Sequence, residues 1–320
     1  MTRPRVVCLV GPTASGKTAL ALDLAAAFDA EIVSADSRQI YRSLDVGTAK
    51  PTAAERARVP HHCLDLVDPG ASFDVARFRD AATAALVDVH TRGRRALIVG
   101  GTGLYLRVLL HGLCPAPPCV PALRRVLGRM AADDGAPALH RRLAVVDPTA
   151  AARIHPNDTV RAVRALEVAL STGRRLSDWQ AAHGFGETPY DALVIGLAVP
   201  PAELDARIAA RARAMLDTGF ADEVRSLAGS ELDPDAPAWG AVGYREMREH
   251  VLGKTTVEEA LAAVVRATRR FAKRQRTWFR TEPGVSWWHP EQDRAQIDAA
   301  VAAVFDAASP ADIANAGVPR

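Results

Sequence analysis

Residues Gly11-Pro12-Thr13-Ala14-Ser15-Gly16-Lys17-Thr18 form a complete GxxxxGK(S/T) phosphate-binding loop, directly after the apolar run 5–10. Its glycines let backbone N–H groups curl around phosphate oxygens, and a helix opening near Lys17 would aim its positive dipole end at the same group. Lys17 adds charge, and the Thr18 hydroxyl can ligate Mg²⁺. The chain has only four lysines, at 17, 50, 254 and 273, and one stands where the loop requires it. A ligand carrying a diphosphate or triphosphate is expected here.

Such a loop must sit between a strand and a helix, and both are legible. A β-branched run precedes it, and strong helix formers follow from Ala19 to Phe28. A second short strand at 31–35 ends in the polar cluster Asp36-Ser37-Arg38-Gln39. Residues 73–90 carry a helical stripe, and 95–99 reads as a buried strand ending in Gly100-Gly101-Thr102-Gly103. In an open parallel sheet these carboxyl ends converge on one crevice. Four prolines within 114–121 then mark a boundary, followed by purely helical sequence to about Gln180 and a strand at 190–199. The expected fold is α/β: a phosphate-loop parallel-sheet core built from 1–113 and 189–308, with a helical insertion at 114–188. Residues from 202 onward are expected to be mostly helical, with a disordered Ala-rich tail at 309–320. There is no internal repeat.

Composition narrows the class. At 320 residues and 48% hydrophobic content the chain can bury a substantial core. No long uncharged apolar segment opens it, so neither a signal peptide nor a membrane span is expected, and the cytoplasm is the default. Cys8, Cys63, Cys114 and Cys119 lack zinc or disulfide-framework spacing. The net charge of +3 is too small to argue for a nucleic acid by itself. Its distribution says more.

ATPases place a magnesium-binding aspartate after a buried strand. Here the strand 95–99 ends in Gly-Gly-Thr instead, and Leu64-Asp65-Leu66-Val67-Asp68, with its two aspartates, is the weaker substitute because Pro69-Gly70 follow at once and suggest a loop. Asp36 is the better functional carboxylate, able to accept a proton from a substrate amine or, alternatively, to cap the turn beginning at Ser37. Thr102 is similarly a substrate contact or a cap. The stretch 266–280 contains no acid, and on a helix Arg269, Lys273, Arg276 and Arg280 share one face opposite an apolar one. Like charges without compensating acids point to a polyanion. Arg161 and Arg164, one turn apart after a helix-start signal at Asn157-Asp158-Thr159, form a second basic cluster with Arg124, Arg125 and Arg129. A small nucleotide needs no such spread of arginines.

These residues resemble the bacterial tRNA dimethylallyltransferase (tRNA isopentenyltransferase) family. The likeness runs in order through GPTASGKT (11–18), SADSRQIYRSLDVGTAKP (34–51), HHCLDLVDP (61–69), LIVGGTGLYLRVLLHGL (97–113), HPNDTVRAVRALEV (155–168), GFADEVRSL (219–227), AVGYREM (241–247) and TRRFAKRQRTWFR (268–280). It implies transfer of a dimethylallyl group from dimethylallyl diphosphate to the exocyclic amine of the adenine just 3′ of the anticodon. The loop Gly11 to Thr18 would then hold a leaving group rather than ATP, with Mg²⁺ near Thr18. The resemblance further implies that Lys17 and Arg211 stabilise the diphosphate, that Asp36 accepts from the attacking amine and that Thr102 positions the adenine. It implies tRNA contacts at Asp36, Ser37, Arg38 and Gln39; at Arg124 and at Val160, Arg161, Ala162, Val163 and Arg164; at Ala241, Val242, Gly243, Tyr244 and Arg245; and at Lys273, Arg274, Gln275, Arg276, Thr277, Trp278, Phe279 and Arg280. The insertion would close on the anticodon stem, and the enzyme would act as a monomer. Eukaryotic relatives carry a C-terminal zinc finger that is absent here. The rival readings are an adenylate prenyltransferase, a phosphate-loop small-molecule kinase and a non-enzymatic RNA-binding switch.

Overall fold

The computed structural model describes residues 3–306. Six strands, β1 (Arg5–Val10), β2 (Ala30–Ser34), β3 (His61–His62), β4 (Arg95–Gly100), β5 (Asp191–Leu197) and β6 (Val285–Trp288), form one all-parallel sheet in the order β3-β2-β4-β1-β5-β6. Helices α1 (Lys17–Ala27), α2 (Ala53–Arg58), α3 (Val75–Thr91) and α4 (Gly103–His111) connect the first four strands and lead out of the fourth. Five helices follow before β5: α5 (Pro121–Asp133), α6 (Ala136–Val146), α7 (Pro148–Ala151), α8 (Thr159–Thr172) and α9 (Leu176–His183). After β5 come α10 (Pro201–Asp217), α11 (Phe220–Gly229), a short 3₁₀ turn, α12 (Tyr244–Val251), α13 (Val257–Arg280) and, beyond β6, α14 (Arg294–Phe305). Two compact units result, one made of residues up to Leu110 with those from Pro189 onward, the other of His111–Thr188. The tail expected at 309–320 lies outside the described residues. None of the described helices is long and apolar enough to cross a membrane.

Parallel strands covered on both faces read as continuous apolar runs, and β1 shows why. Val6, Cys8 and Val10 point into a cluster with Phe78, Leu86, Leu109 and Phe279, whereas Val7 and Leu9 point into another with Leu20, Leu24, Ile297 and Val301. The central strand that launches the phosphate loop is thereby buried on every side. Burial also accounts for Cys8, whose thiol pKa is pushed far above its ordinary value by desolvation. A third cluster, around Leu44, Ala212, Phe220, Val224, Trp239, Tyr244 and Val264, holds α10–α13 together beside the sheet. Sequence reading missed β3 and β6; β3 is only two residues long and β6 four, too short for a period-two pattern to emerge.

The insertion has its own core of Leu127, Leu139, Leu143, Ala162, Val163 and Leu166. Glu167 is buried at its edge and accepts from the Val120 amide (2.8 Å), from Arg124 (2.6 Å) and from Arg164 (3.0 Å). Although burial opposes its charge, these donors hold the carboxyl down at about 2.

The far end of the sheet carries an equivalent staple. Glu31 on β2 is buried and accepts from Arg92 beyond α3, with which it forms a close pair, and approaches His62 Nε2 on β3 at 2.7 Å. The Arg92 guanidinium is the chief cause that lowers its pKa to about 2. Because the folded value lies below the unfolded one, the stabilisation is complete above about pH 4.5 and disappears as pH falls towards 2. Glu31→Gln is expected to lower stability at pH 7 by about 2 kcal/mol. In urea melts, the gap between variant and wild type should narrow steadily from pH 4.5 downward.

Candidate functional site

Three loops meet at the carboxyl edge of the sheet. The first follows β1, where Gly16 caps α1 in the left-handed region at φ 91° and Lys17 opens the helix. The Lys17 Nζ turns back on its own loop, donating to the carbonyls of Gly11 (3.0 Å) and Pro12 (2.7 Å). Desolvation, and then the neighbouring Arg211 charge, lower its pKa to about 7, while Asp36 acts in the opposite direction. Arg211 is itself pushed down by burial and supported by Asp36. Lys17, Arg211 and Asp36 therefore share one electrostatic neighbourhood.

The second loop follows β2. Asp36 Oδ1 accepts from the amides of Arg38 (2.8 Å) and Gln39 (3.3 Å), so the turn-capping role weighed from sequence is present. Oδ2 accepts no hydrogen bond among the described residues. One oxygen builds the turn and the other remains available for chemistry. Arg38 donates to the Pro237 carbonyl at 3.0 Å, and Gln39 ties the turn to the carbonyls of Thr48 and Ala49.

The third loop follows β4. Thr102 does not cap its own helix through its side chain; its Oγ1 accepts from the Ser37 amide at 3.0 Å and its hydroxyl donates to Ser37 Oγ at 3.3 Å. Thr102 thus fastens the third loop to the second. The glycines around it have no room for side chains. A Cβ at Gly101 would stand 2.1 Å from Gln275 Nε2, and one at Gly103 would stand 2.0 Å from the Trp278 ring. Both intruders come from α13.

These loops wall a cavity of about 1180 Å³ lined by Thr13 to Thr18, Asp36 to Gln39, Arg211, Ala241, Val242, Arg274 and Gln275. Apolar side chains line it as well. Ile208, Ala212 and Met215, spaced four and three apart on α10 with Arg211 among them, line it with Phe220, Val264 and Phe271. Sequence reading missed this wall, although a helical stripe at 208–215 was there to be found. It also missed Glu223, which accepts from the amides of Asp45 (2.8 Å), Val46 (2.7 Å) and Gly47 (3.0 Å) and from the Tyr244 hydroxyl (2.6 Å). Gly47 is closed off in the same way, since a Cβ there would meet Phe220 at 2.2 Å. Only the fold brings 45–47 and 220–244 together. No local pattern announces it.

Several expectations are corrected. Asp65, weighed as a magnesium carboxylate, is held by Lys50 at 2.7 Å and by Arg56 at 2.7 Å, so both its oxygens are engaged. Of the residues assigned to RNA contact, Ala162 and Val163 lie in the insertion core, while Ala241, Gly243, Tyr244, Gln275 and Phe279 are buried in the larger unit. Ala241 and Gln275 nonetheless line the cavity. Arg124 and Arg164 are committed to Glu167, and Arg161 pairs with Asp158, so the second basic cluster carries far less free charge than its sequence suggests. Val160 is exposed, as are Arg245, Lys273, Arg274, Thr277 and Arg280; Arg276 and Trp278 are half-buried, the latter under the Arg107 guanidinium. Seven cations stand on α13 between Arg266 and Arg280, and among the described residues only Arg269 has an ion pair, with Asp205 at 3.5 Å.

The site also bears on a cation. Ser15 Oγ is buried without a hydrogen-bond partner, and the Thr18 hydroxyl lines the cavity. Among the described residues no group of three or more acidic, histidine or cysteine side chains is placed to hold a metal. That donor set suits a hard ion taking one or two protein oxygens and completing its shell with phosphate oxygens and water.

Comparison with known proteins follows this geometry. A model described as IPP transferase matches residues 39–282, and one described as isopentenyl transferase matches residues 4–68. The tRNA dimethylallyltransferase of Anaeromyxobacter dehalogenans (strain 2CP-C) is 55% identical over 90% of this chain and 96% of its own length. The chain belongs to the tRNA dimethylallyltransferase family. The member from Geobacter sulfurreducens is 48% identical over 89% of this chain and 92% of its own. Among solved structures, the tRNA isopentenylpyrophosphate transferase of Bacillus halodurans aligns with a TM-score of 0.70 at 38% identity, covering 95% of this chain and 97% of that one. A eukaryotic dimethylallyltransferase acting on tRNA aligns at 0.79 with 25% identity, covering 99% and 81%. The fold of this family is thus the phosphate-loop α/β core expected from sequence.

Because Lys17 is held near pKa 7 without an anion, a bound diphosphate must raise it by favouring the charged form. Binding of inorganic diphosphate should take up protons near neutrality and weaken as pH rises through about 7. Titration calorimetry in buffers of different ionisation enthalpy measures this. Lys17→Met should abolish the part of the uptake due to Lys17.

Proposed function

We propose that the chain transfers a dimethylallyl group from dimethylallyl diphosphate to the exocyclic amine of an adenine in the anticodon arm of tRNA, just 3′ of the anticodon. The observation that carries this is the composition of one cavity: a cationic phosphate loop, an apolar wall and a carboxylate with one uncommitted oxygen. A kinase would share the loop and could use a carboxylate, but the apolar lining suits a prenyl group rather than a phosphoryl acceptor. Of the two aspartates in 64–68, Asp65 is held on both oxygens by Lys50 and Arg56, and Asp68 pairs with Arg42.

In the reaction the amine nitrogen attacks the first carbon of the dimethylallyl group while the bond from that carbon to the diphosphate oxygen breaks. The amine loses a proton to Asp36, and diphosphate departs into the loop. An adenine amine is a weak nucleophile, so the carboxylate assists by accepting charge as the new bond forms. Lys17, once released from the carbonyls of Gly11 and Pro12, and Arg211 would stabilise the negative charge that develops on the leaving group. The Thr18 hydroxyl would hold Mg²⁺, which would supply positive charge for the departing diphosphate. Ile208, Ala212, Met215, Phe220 and Phe271 shelter the five-carbon group from water. The target base leaves its stack to reach Asp36, at a cost of about a few kcal/mol. The exposed cations of α13 supply phosphate contacts that repay part of it. The protein is read as acting alone, as a monomer, in the cytoplasm with its tRNA.

Incubation with dimethylallyl diphosphate, Mg²⁺ and unmodified tRNA, followed by nucleoside mass spectrometry, should give prenylated adenosine. Faster transfer to free AMP than to an anticodon stem-loop would overturn the tRNA reading. Asp36→Asn keeps the oxygen that caps the turn, so RNA affinity should persist while kcat falls by roughly 10²–10⁴. In binding assays across salt concentrations, replacing Lys273 and Arg276 together by alanine should flatten the slope of log affinity against log salt by about 1.5. Diphosphate affinity should be unaffected by that pair.

A further inference from the structure

Gln275 sits in the middle of the basic helix yet is 6% exposed. Its Oε1 accepts from the Thr13 amide of the phosphate loop at 2.8 Å, and its Nε2 donates to the Gly101 carbonyl at 2.9 Å. The two bonds demand opposite ends of one carboxamide, because an N–H needs an acceptor and a carbonyl needs a donor. Neither Glu nor Lys meets both. Gly101 is also where a methyl group would strike that carboxamide, so the close approach is built from both sides. From Gly101 the chain passes directly to Thr102, which grips Ser37 beside Asp36.

We propose that Gln275 is a positioning residue that fixes the diphosphate loop against the loop bearing Asp36, setting the separation between leaving group and base. It contributes nothing to RNA affinity by contact, despite lying among residues that do. The inference rests on the function proposed above, but its central test does not need prenyl transfer. The Thr13 amide is committed to Gln275, and that anchor holds in place the following peptides, from Ala14 to Thr18, whose N–H groups would face phosphate. Losing the bridge lets those peptides rotate, and the loop must then reorder each time an anion binds. Arg274, the adjacent residue, is exposed and lines the same cavity, so the helix presents charge and buried amide to the site from successive positions.

Two substitutions approach the bridge from opposite ends. Gln275→Ala removes both bonds, and Gly101→Ala leaves Gln275 intact but displaces its carboxamide. Each should weaken binding of inorganic diphosphate about tenfold, lower kcat, and leave affinity for an unmodified anticodon stem-loop at the wild-type level. The double variant should be no worse than the poorer single one, because both act on one contact. Additive losses, wild-type diphosphate affinity in either variant, or a loss confined to RNA affinity would each overturn the proposal, the last restoring Gln275 as an RNA contact. If Gln275→Ala proves too unstable to assay, Gly101→Ala carries the same measurement. Wild-type protein that binds diphosphate but transfers no prenyl group would instead count against the function, separately from this inference.

Discussion

Two cations beside one carboxylate set the terms for the rest of this structure. Burial and then the Arg211 charge work against protonation of Lys17 while Asp36 supports it, so a polyanion bound here would favour the charged form further. Such an arrangement persists only where the surrounding fold over-determines it. The central strand β1, buried on both faces, provides that rigidity, and the loop inherits its position from the strand's register. Asp36 then serves two needs with its two oxygens, building a turn and remaining open to a substrate.

A recurring device is the carboxylate, buried at Glu31 and Glu167 and half-buried at Glu223, that gathers donors from distant segments. Glu31 joins β2 to the end of α3, Glu167 joins the proline-rich segment to α8, and Glu223 gathers three successive amides of the 45–47 loop. Each carboxylate accepts from backbone or guanidinium groups, and each anchors chain that has little regular structure of its own. The consequence for recognition is plain in the insertion. Arginines that serve Glu167 are not free to serve RNA, whereas Arg125 and Arg129 of the insertion and six of the seven cations of α13 have no ion pair among the described residues.

Local chemistry made much of this legible from sequence. The phosphate loop, the order of β1, β2, β4 and β5, the helical insertion and the acid-free face of α13 all follow from spacing within short windows. What escaped reading depends on pairs far apart in the chain: Glu223 with 45–47, Lys50 and Arg56 with Asp65, and Gln275 with Thr13 and Gly101. The RNA contacts at 273–280 were expected as a block from the resemblance, whereas helical periodicity separates the basic face of α13 from the apolar one that holds Phe279; Gln275 is buried as well, which neither reading anticipated. Short strands β3 and β6 carried too few residues to register at all.

The Gly100–Gly103 turn has a broader implication. Gly101 and Gly103 do their work by lacking a side chain, leaving space into which Gln275 and Trp278 insert. Mutational sensitivity at such positions would rival that of Asp36 although neither glycine offers a functional group. In a scan of this enzyme, then, intolerance would map the places where backbone must touch backbone's neighbours as readily as the places where substrate is bound, and the two maps would separate only when ligand affinity is measured beside turnover.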